Sequence, residues 1–94
     1  MKLLITYDVT TVDKEGEKRL RQVARTCLDY GQRVQKSVFE CEVGSTELVL
    51  LRGRLLEAIK PETDSVRIYF LDGDTRIETH GVDNSRDMGG PLVV

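Results

Sequence analysis

Ninety-four residues, 39% hydrophobic and 32% charged, suffice for one small domain and exclude both wholesale disorder and a catalytic cleft between two domains. With three Tyr, two Phe and no Trp, the core must rest on Leu, Val and Ile. The net charge of −2 is unevenly spread: residues 1–60 hold eleven Lys/Arg against nine Asp/Glu, and residues 61–94 hold three against seven.

Residues 2–8 alternate, with Leu3, Ile5 and Tyr7 on one side and Leu4, Thr6 and Asp8 on the other, which predicts a strand. Thr10 to Gly16 reads as a loop rich in helix-starting residues. Leu20, Val23, Ala24, Cys27 and Leu28 then recur at helical spacing, with Gly31 as a stop signal just beyond. Arg33 to Val43 is extended, either a hairpin turning near Lys36–Ser37 or one long bent strand. Gly44–Ser45 offers a break and a cap, after which Leu48, Leu51, Leu55 and Ile59 mark a second helix ended by Pro61. Ser65 to Leu71 is a strand with Val66, Ile68 and Phe70 inward. Asp72-Gly73-Asp74 turns the chain into a last short strand over Arg76 to Val82.

The order βαββαβ with an extra C-terminal strand is that of an α+β, ferredoxin-like fold, an antiparallel sheet with both helices on one face. The other face then needs a partner, and a second copy of the chain is the simplest one. The apolar ending GGPLVV reads as a strand lent to that neighbour. The expected organisation is thus a domain over residues 1–82 and a tail, 83–94, reaching the partner subunit.

No apolar run approaches the roughly 18 residues of a membrane span, and MKLLITYD is too short in apolar residues for a signal peptide, so a cytoplasmic, non-membrane protein is expected. Cys27 and Cys41 lack the spacing of a zinc site and read as small core residues. Nucleotide-loop and hydrolase motifs are absent, and His80, the one histidine, has no triad-like companions.

Two places remain for chemistry. Asp8 ends the first strand, where it serves either as an Asx-turn acceptor or as a presented carboxylate. One carboxylate is a poor magnesium site, but a two-fold dimer would supply a second Asp8 to share the ion with a phosphodiester. The stretch from Arg33 to Glu40 offers a guanidinium suited to phosphate, and Phe39 as core or as a base-stacking ring. Lys14, Lys18, Arg19, Arg21, Arg25, Arg33 and Lys36 face only three acids within residues 14–36, a basic strip for phosphates or a solvated surface.

Taken together, ITYDV, the Arg-bearing first helix and RVQKSVFE resemble the small CRISPR-associated nucleases of the spacer-adaptation machinery, the Cas-two family. The resemblance spans nearly the whole chain. It implies a ferredoxin-like homodimer with metal-dependent phosphodiesterase activity on RNA or double-stranded DNA, partnered by the adaptation integrase. It also implies a magnesium or other divalent ion on Asp8, with Tyr7 beside it in catalysis. Nucleic-acid contacts fall by the same resemblance on Arg19, Arg21, Arg33 and Phe39. A non-catalytic DNA-binding scaffold that bridges integrase subunits is the alternative expectation.

Overall fold

The computed structural model describes residues 1–82. The tail expected to reach a partner, 83–94, lies outside the described residues. The first strand, β1 (Lys2–Asp8), buries Leu3, Ile5 and Tyr7 and leaves Lys2 and Asp8 exposed, the pattern its alternation predicts. Helix α1 (Lys14–Tyr30) starts where the Asp13 side chain accepts the Gly16 N–H at 2.8 Å, with Glu15 and Glu17 against the positive end of its dipole. It buries Val23, Thr26 and Cys27, and lays Leu20 and Ala24 half-buried against the core.

Gly31 is the stop signal the sequence offers, but it does not act as a left-handed cap. Its φ is −166°, ordinary extended backbone. What glycine provides is the missing Cβ, which would collide with the Glu40 carbonyl oxygen and lie 2.6 Å from Cys41 Sγ. The helix can therefore turn directly into β2 (Gly31–Gln35), pressed against β3 (Val38–Glu42). These two strands form a hairpin around Lys36–Ser37, with an irregularity in register between Arg33 and Gln35. Of the two readings of this segment, the hairpin is the one the chain adopts.

Helix α2 (Ser45–Ala58) is capped by Gly44, whose N–H donates to Glu47 Oε1 at 2.8 Å; the cap is thus one residue earlier than a Ser45 cap. Leu48, Leu51, Leu55 and Ala58 face inward, and Ile59 closes the helix ahead of Pro61. Strands β4 (Ser65–Phe70) and β5 (Arg76–Gly81) follow, joined by a turn in which Gly73 takes a φ of 64°. Arg52 of α2 grips Glu78 of β5 bidentately at 2.9 and 2.7 Å, tying this edge strand to the helical layer.

The five strands form one antiparallel sheet in the order β2-β3-β1-β4-β5, so β1 lies at its centre. Buried residues from both helices join one cluster with Leu3, Ile5, Phe39, Cys41 and Ile68, which places both helices on one face. This is the ferredoxin-like arrangement with one added strand. Cys27 and Cys41 lie within that core as free thiols, and burial pushes them up to about 12 and about 11, so they stay protonated at neutral pH. The opposite face carries Leu4, Thr6, Val38, Arg67, Tyr69 and Ile77 in adjoining registers, and no element among the described residues covers it.

Candidate metal and nucleic-acid site

The central position of β1 decides where Asp8 stands. β3 flanks the strand as far as Thr6 and β4 to its last residue, Asp8 pairing across to Ser65, while the side chain remains exposed. Around this end of the sheet lies a cavity of about 490 Å³, bounded by the end of β1, by α1 and by the β2–β3 turn. Asp8 is at its border with three exposed cations, Arg21, Arg33 and Lys36. Residues far apart in the chain thus converge at the place where the sequence put its candidate carboxylate.

Tyr7 is 7% exposed and its hydroxyl donates to the Lys36 carbonyl at 3.4 Å, bracing the hairpin turn against β1. Burial raises the phenol above its usual value, with the nearby Arg33 opposing that shift only in part. Tyr7 is therefore a neutral hydrogen-bonding group at physiological pH. The Arg33 guanidinium lies 5.0 Å above the Phe39 ring, which orients it while leaving the residue exposed.

Two of the expected nucleic-acid contacts need correction. Phe39 is 0% exposed, opposite Ile5 in register and 6.0 Å from the Tyr7 ring, so it has no free face for a base. Strand alternation puts it under the helices, and its part in the site is to support Arg33. Arg19 is committed elsewhere too: its Nε donates to Asp64 Oδ2 at 2.8 Å and its Nη2 reaches the Thr10 carbonyl at 3.5 Å. It works as an internal clamp, not as a phosphate fork. Arg21, two residues on and a different way round the helix, remains free to face a ligand.

Asp64 is the residue that sequence reasoning missed. Fully buried, it accepts from the N–H groups of Thr10 and Lys60, from the Thr63 hydroxyl and from Arg19, at 2.8–3.1 Å. It fixes the chain two residues after Asp8 to the start of β4 and to α1. Asp64 is one of two acids in the polar stretch after Pro61, with nothing in the sequence to set it apart from Glu62. His80 lies away on β5, 3.2 Å from Glu78.

The profile of the family described as CRISPR associated protein Cas2 matches residues 1–78. The chain belongs to that family. It is 47% identical to the CRISPR-associated endoribonuclease Cas2 of Chlorobaculum tepidum over the whole of both chains. It is 50% identical to the CRISPR-associated endonuclease Cas2 of Halalkalibacterium halodurans over 99% of each. Among solved structures, Streptococcus pyogenes Cas2 superposes with a TM-score of 0.71 at 55% identity, covering 76% of this chain and 86% of that one. The resemblance seen in YD and RVQKSVFE is thereby carried over the whole Cas2 domain.

A single Cas2 chain does not by itself make a cation site. Among the described residues no three His, Cys, Asp or Glu side chains come together as ligands. Asp8 alone is suitably exposed, and magnesium held by one carboxylate must find its other oxygens in water and substrate. The donor set fits such an ion only if a second copy brings its own Asp8. No helix among the described residues is long and apolar enough to cross a membrane.

Proposed function

We propose that this protein is a divalent-cation-dependent endonuclease that works as a homodimer and takes part in the acquisition of new CRISPR spacers. The observation that carries the reading is the grouping of Asp8 with Arg21, Arg33 and Lys36 around one cavity, in a family whose relatives are named endonucleases or endoribonucleases. Phosphate oxygens are bound by the three cations, with the Arg33 fork supplying orientation. Tyr7 braces the hairpin turn that carries Lys36, next to Arg33. Asp8 and its two-fold mate are the residues that would hold the ion. Magnesium bound there would supply Lewis-acid polarisation of a phosphoryl oxygen and a lowered pKa for its water, which a site without a nearby histidine needs.

The test is a cleavage assay on single-stranded RNA and on double-stranded DNA, with and without magnesium, beside Asp8→Ala. Cleavage is expected on at least one substrate, dependent on the cation. It should fall by on the order of a hundredfold or more in the variant, the several kcal/mol a metal contributes to the transition state. Equal cleavage by Asp8→Ala, or none by the wild type, would hand first place to the second reading. That reading is a DNA-gripping scaffold docked to the adaptation integrase, and the presence of only one exposed carboxylate at the site among the described residues favours it.

The homodimer rests on the uncovered sheet face, where Leu4, Val38, Tyr69 and the 52%-exposed Ile77 would otherwise meet water. Asp8 belongs to the same alternate set of β1 side chains, so pairing through this face with the axis at the end of β1 would bring the two carboxylates together. Sedimentation of the intact chain at micromolar concentration should give a dimer. Removal of residues 89–94 should weaken it, if those residues add a strand to the neighbour. A monomer for the intact chain overturns the shared-ion arrangement.

A further inference from the structure

Helix α2 is apolar on more sides than the core can use. Leu48, Leu51, Leu55 and Ala58 face inward, while Val49 and Leu50, both more than half exposed, and Leu56 face outward. A helix with apolar residues all round normally lies inside a structure. Gly53 stands in the middle of the outward face, in a helix interior where glycine is among the least favourable residues. No packing requires it: a Cβ there would meet nothing within 4 Å among the described residues. Its neighbours on either side are drawn away in opposite directions, Arg52 to Glu78 of β5 and Arg54 to Asp29 of α1. What remains is a bare stretch of backbone set among Val49, Leu50 and Leu56, with both arginines neutralised within their own chain.

We propose that this face packs against the same face of a second copy, α2 antiparallel to α2, with a two-fold axis passing at Gly53. Glycine at a crossing lets two helix backbones approach closely. The sequence about the axis reads Leu50-Leu51-Arg52-Gly53-Arg54-Leu55-Leu56, the same in both directions. Residues equally far before and after Gly53 come level, so Leu50 of each copy is level with Leu56 of the other. Further out, the exposed Lys60 comes level with the exposed Thr46 and Glu47, which sets opposite charges at each end of the contact. Glu57 stands at the flank beside α1, where it can stay in water. The contact is small: α2, at fourteen residues, is about 21 Å long. One such face falls short of the roughly 800 Å² per partner of a standard interface, so pairing needs high concentration. In a dimer formed through the sheet face, α2 lies on the outer layer of each copy, and the contact joins dimers into larger assemblies.

Sedimentation velocity of the intact wild-type chain, from about 5 to about 500 μM, reads the contact directly. The weight-average mass should rise by about twofold across that range, as for an interface of sub-standard area. Gly53→Lys puts a good helix former into open space, so its thermal stability should hold or rise, yet its mass should stay at the low-concentration value. Facing Cα atoms at a glycine crossing come within disulfide reach, about 4.4–6.8 Å. Gly53→Cys treated with oxidised glutathione should therefore form an inter-chain disulfide, the two thiols oxidised as the reagent is reduced to two glutathiones. Linking should be about tenfold faster than in Leu28→Cys, exposed on α1, where only collisions bring copies together.

A constant mass in wild type overturns the proposal and leaves the face to a protein of another kind. An equal rise in Gly53→Lys overturns it too, since the contact then lies elsewhere, and so does linking of Gly53→Cys no faster than Leu28→Cys. These outcomes are separable from the sheet-face dimer and from cleavage. A monomer at the low end that pairs only as concentration rises, with the step absent in Gly53→Lys, supports the α2 contact and removes the sheet-face dimer. A dimer at every concentration in both proteins does the reverse.

Discussion

Replacing Asp64 by alanine should destabilise the protein by about 3–5 kcal/mol, the cost of removing one partner from a buried ion pair and leaving the other without it. Four donors converge on this carboxylate, and alanine orphans the N–H groups of Thr10 and Lys60 as well as the Arg19 guanidinium. Asp64→Asn should cost less, since its shape is kept, but its amide nitrogen turns a donor toward one of those N–H groups. Burial by itself raises the Asp64 carboxyl; Arg19 and the backbone N–H groups outweigh it and hold the group below the usual carboxylate range. A folded value below the unfolded one makes the contribution complete above the ordinary carboxylate pKa of about 4. It is lost as pH falls further, toward the folded value. Urea unfolding from pH 7 down to pH 2 should therefore show the gap between wild type and Asp64→Asn closing in acid. A gap that is constant with pH would mean the carboxylate is not charged in the folded protein.

Neutralising Arg21 and Arg33 together, as Arg21→Gln with Arg33→Gln, should weaken nucleic-acid binding about a hundredfold at moderate salt. Each guanidinium–phosphate contact is taken as about 1.5 kcal/mol, roughly tenfold. The slope of log affinity against log salt should flatten by roughly 1.4–1.8, two contacts at 0.7 to 0.9 each. Arg54→Gln is the comparison, because Arg54 already spends its Nη2 on Asp29 at 2.8 Å and should change binding less than about twofold. Filter binding across a salt series reads all three. An unchanged slope in the double variant would reduce the basic strip to a solvated surface.

Which features were legible in the sequence follows from how local their causes are. Alternation within β1 and β4 and the 3.6-residue recurrence in α1 are properties of a few neighbouring residues, and the structure keeps them except at Leu28, which is 49% exposed. The hairpin of β2 and β3 was not decidable that way, because a bent strand has the same composition. Its deciding contact is between Gly31 and the backbone at Glu40, two segments that meet only after folding. The same limit hid Asp64, whose partners lie at Thr10, Arg19, Lys60 and Thr63. Phe39 and Arg19 were misplaced for the opposite reason. They came from family resemblance, which marks a position as important without saying whether it touches a ligand or supports a residue that does. Arg21, Arg33 and Asp8 are exposed and line one cavity, and exposed charge needs no long-range contact to be picked out in a sequence.

The central place of β1 has a consequence for how the molecule is made. Each flanking pair, β2 with β3 and β4 with β5, is a hairpin that can close as soon as its own residues exist. β1 instead joins those two hairpins, through pairings as distant as Leu3 with Cys41 and Leu3 with Phe70. During synthesis the first strand made must wait for β3 before one of its edges is paired, and the other edge stays open until β4 has emerged. Long loops closed this way slow folding and lengthen the exposure of a sticky segment. The delay also means that Asp8, whose strand partner is Ser65, sits on an unfinished sheet edge in any chain cut short before β4.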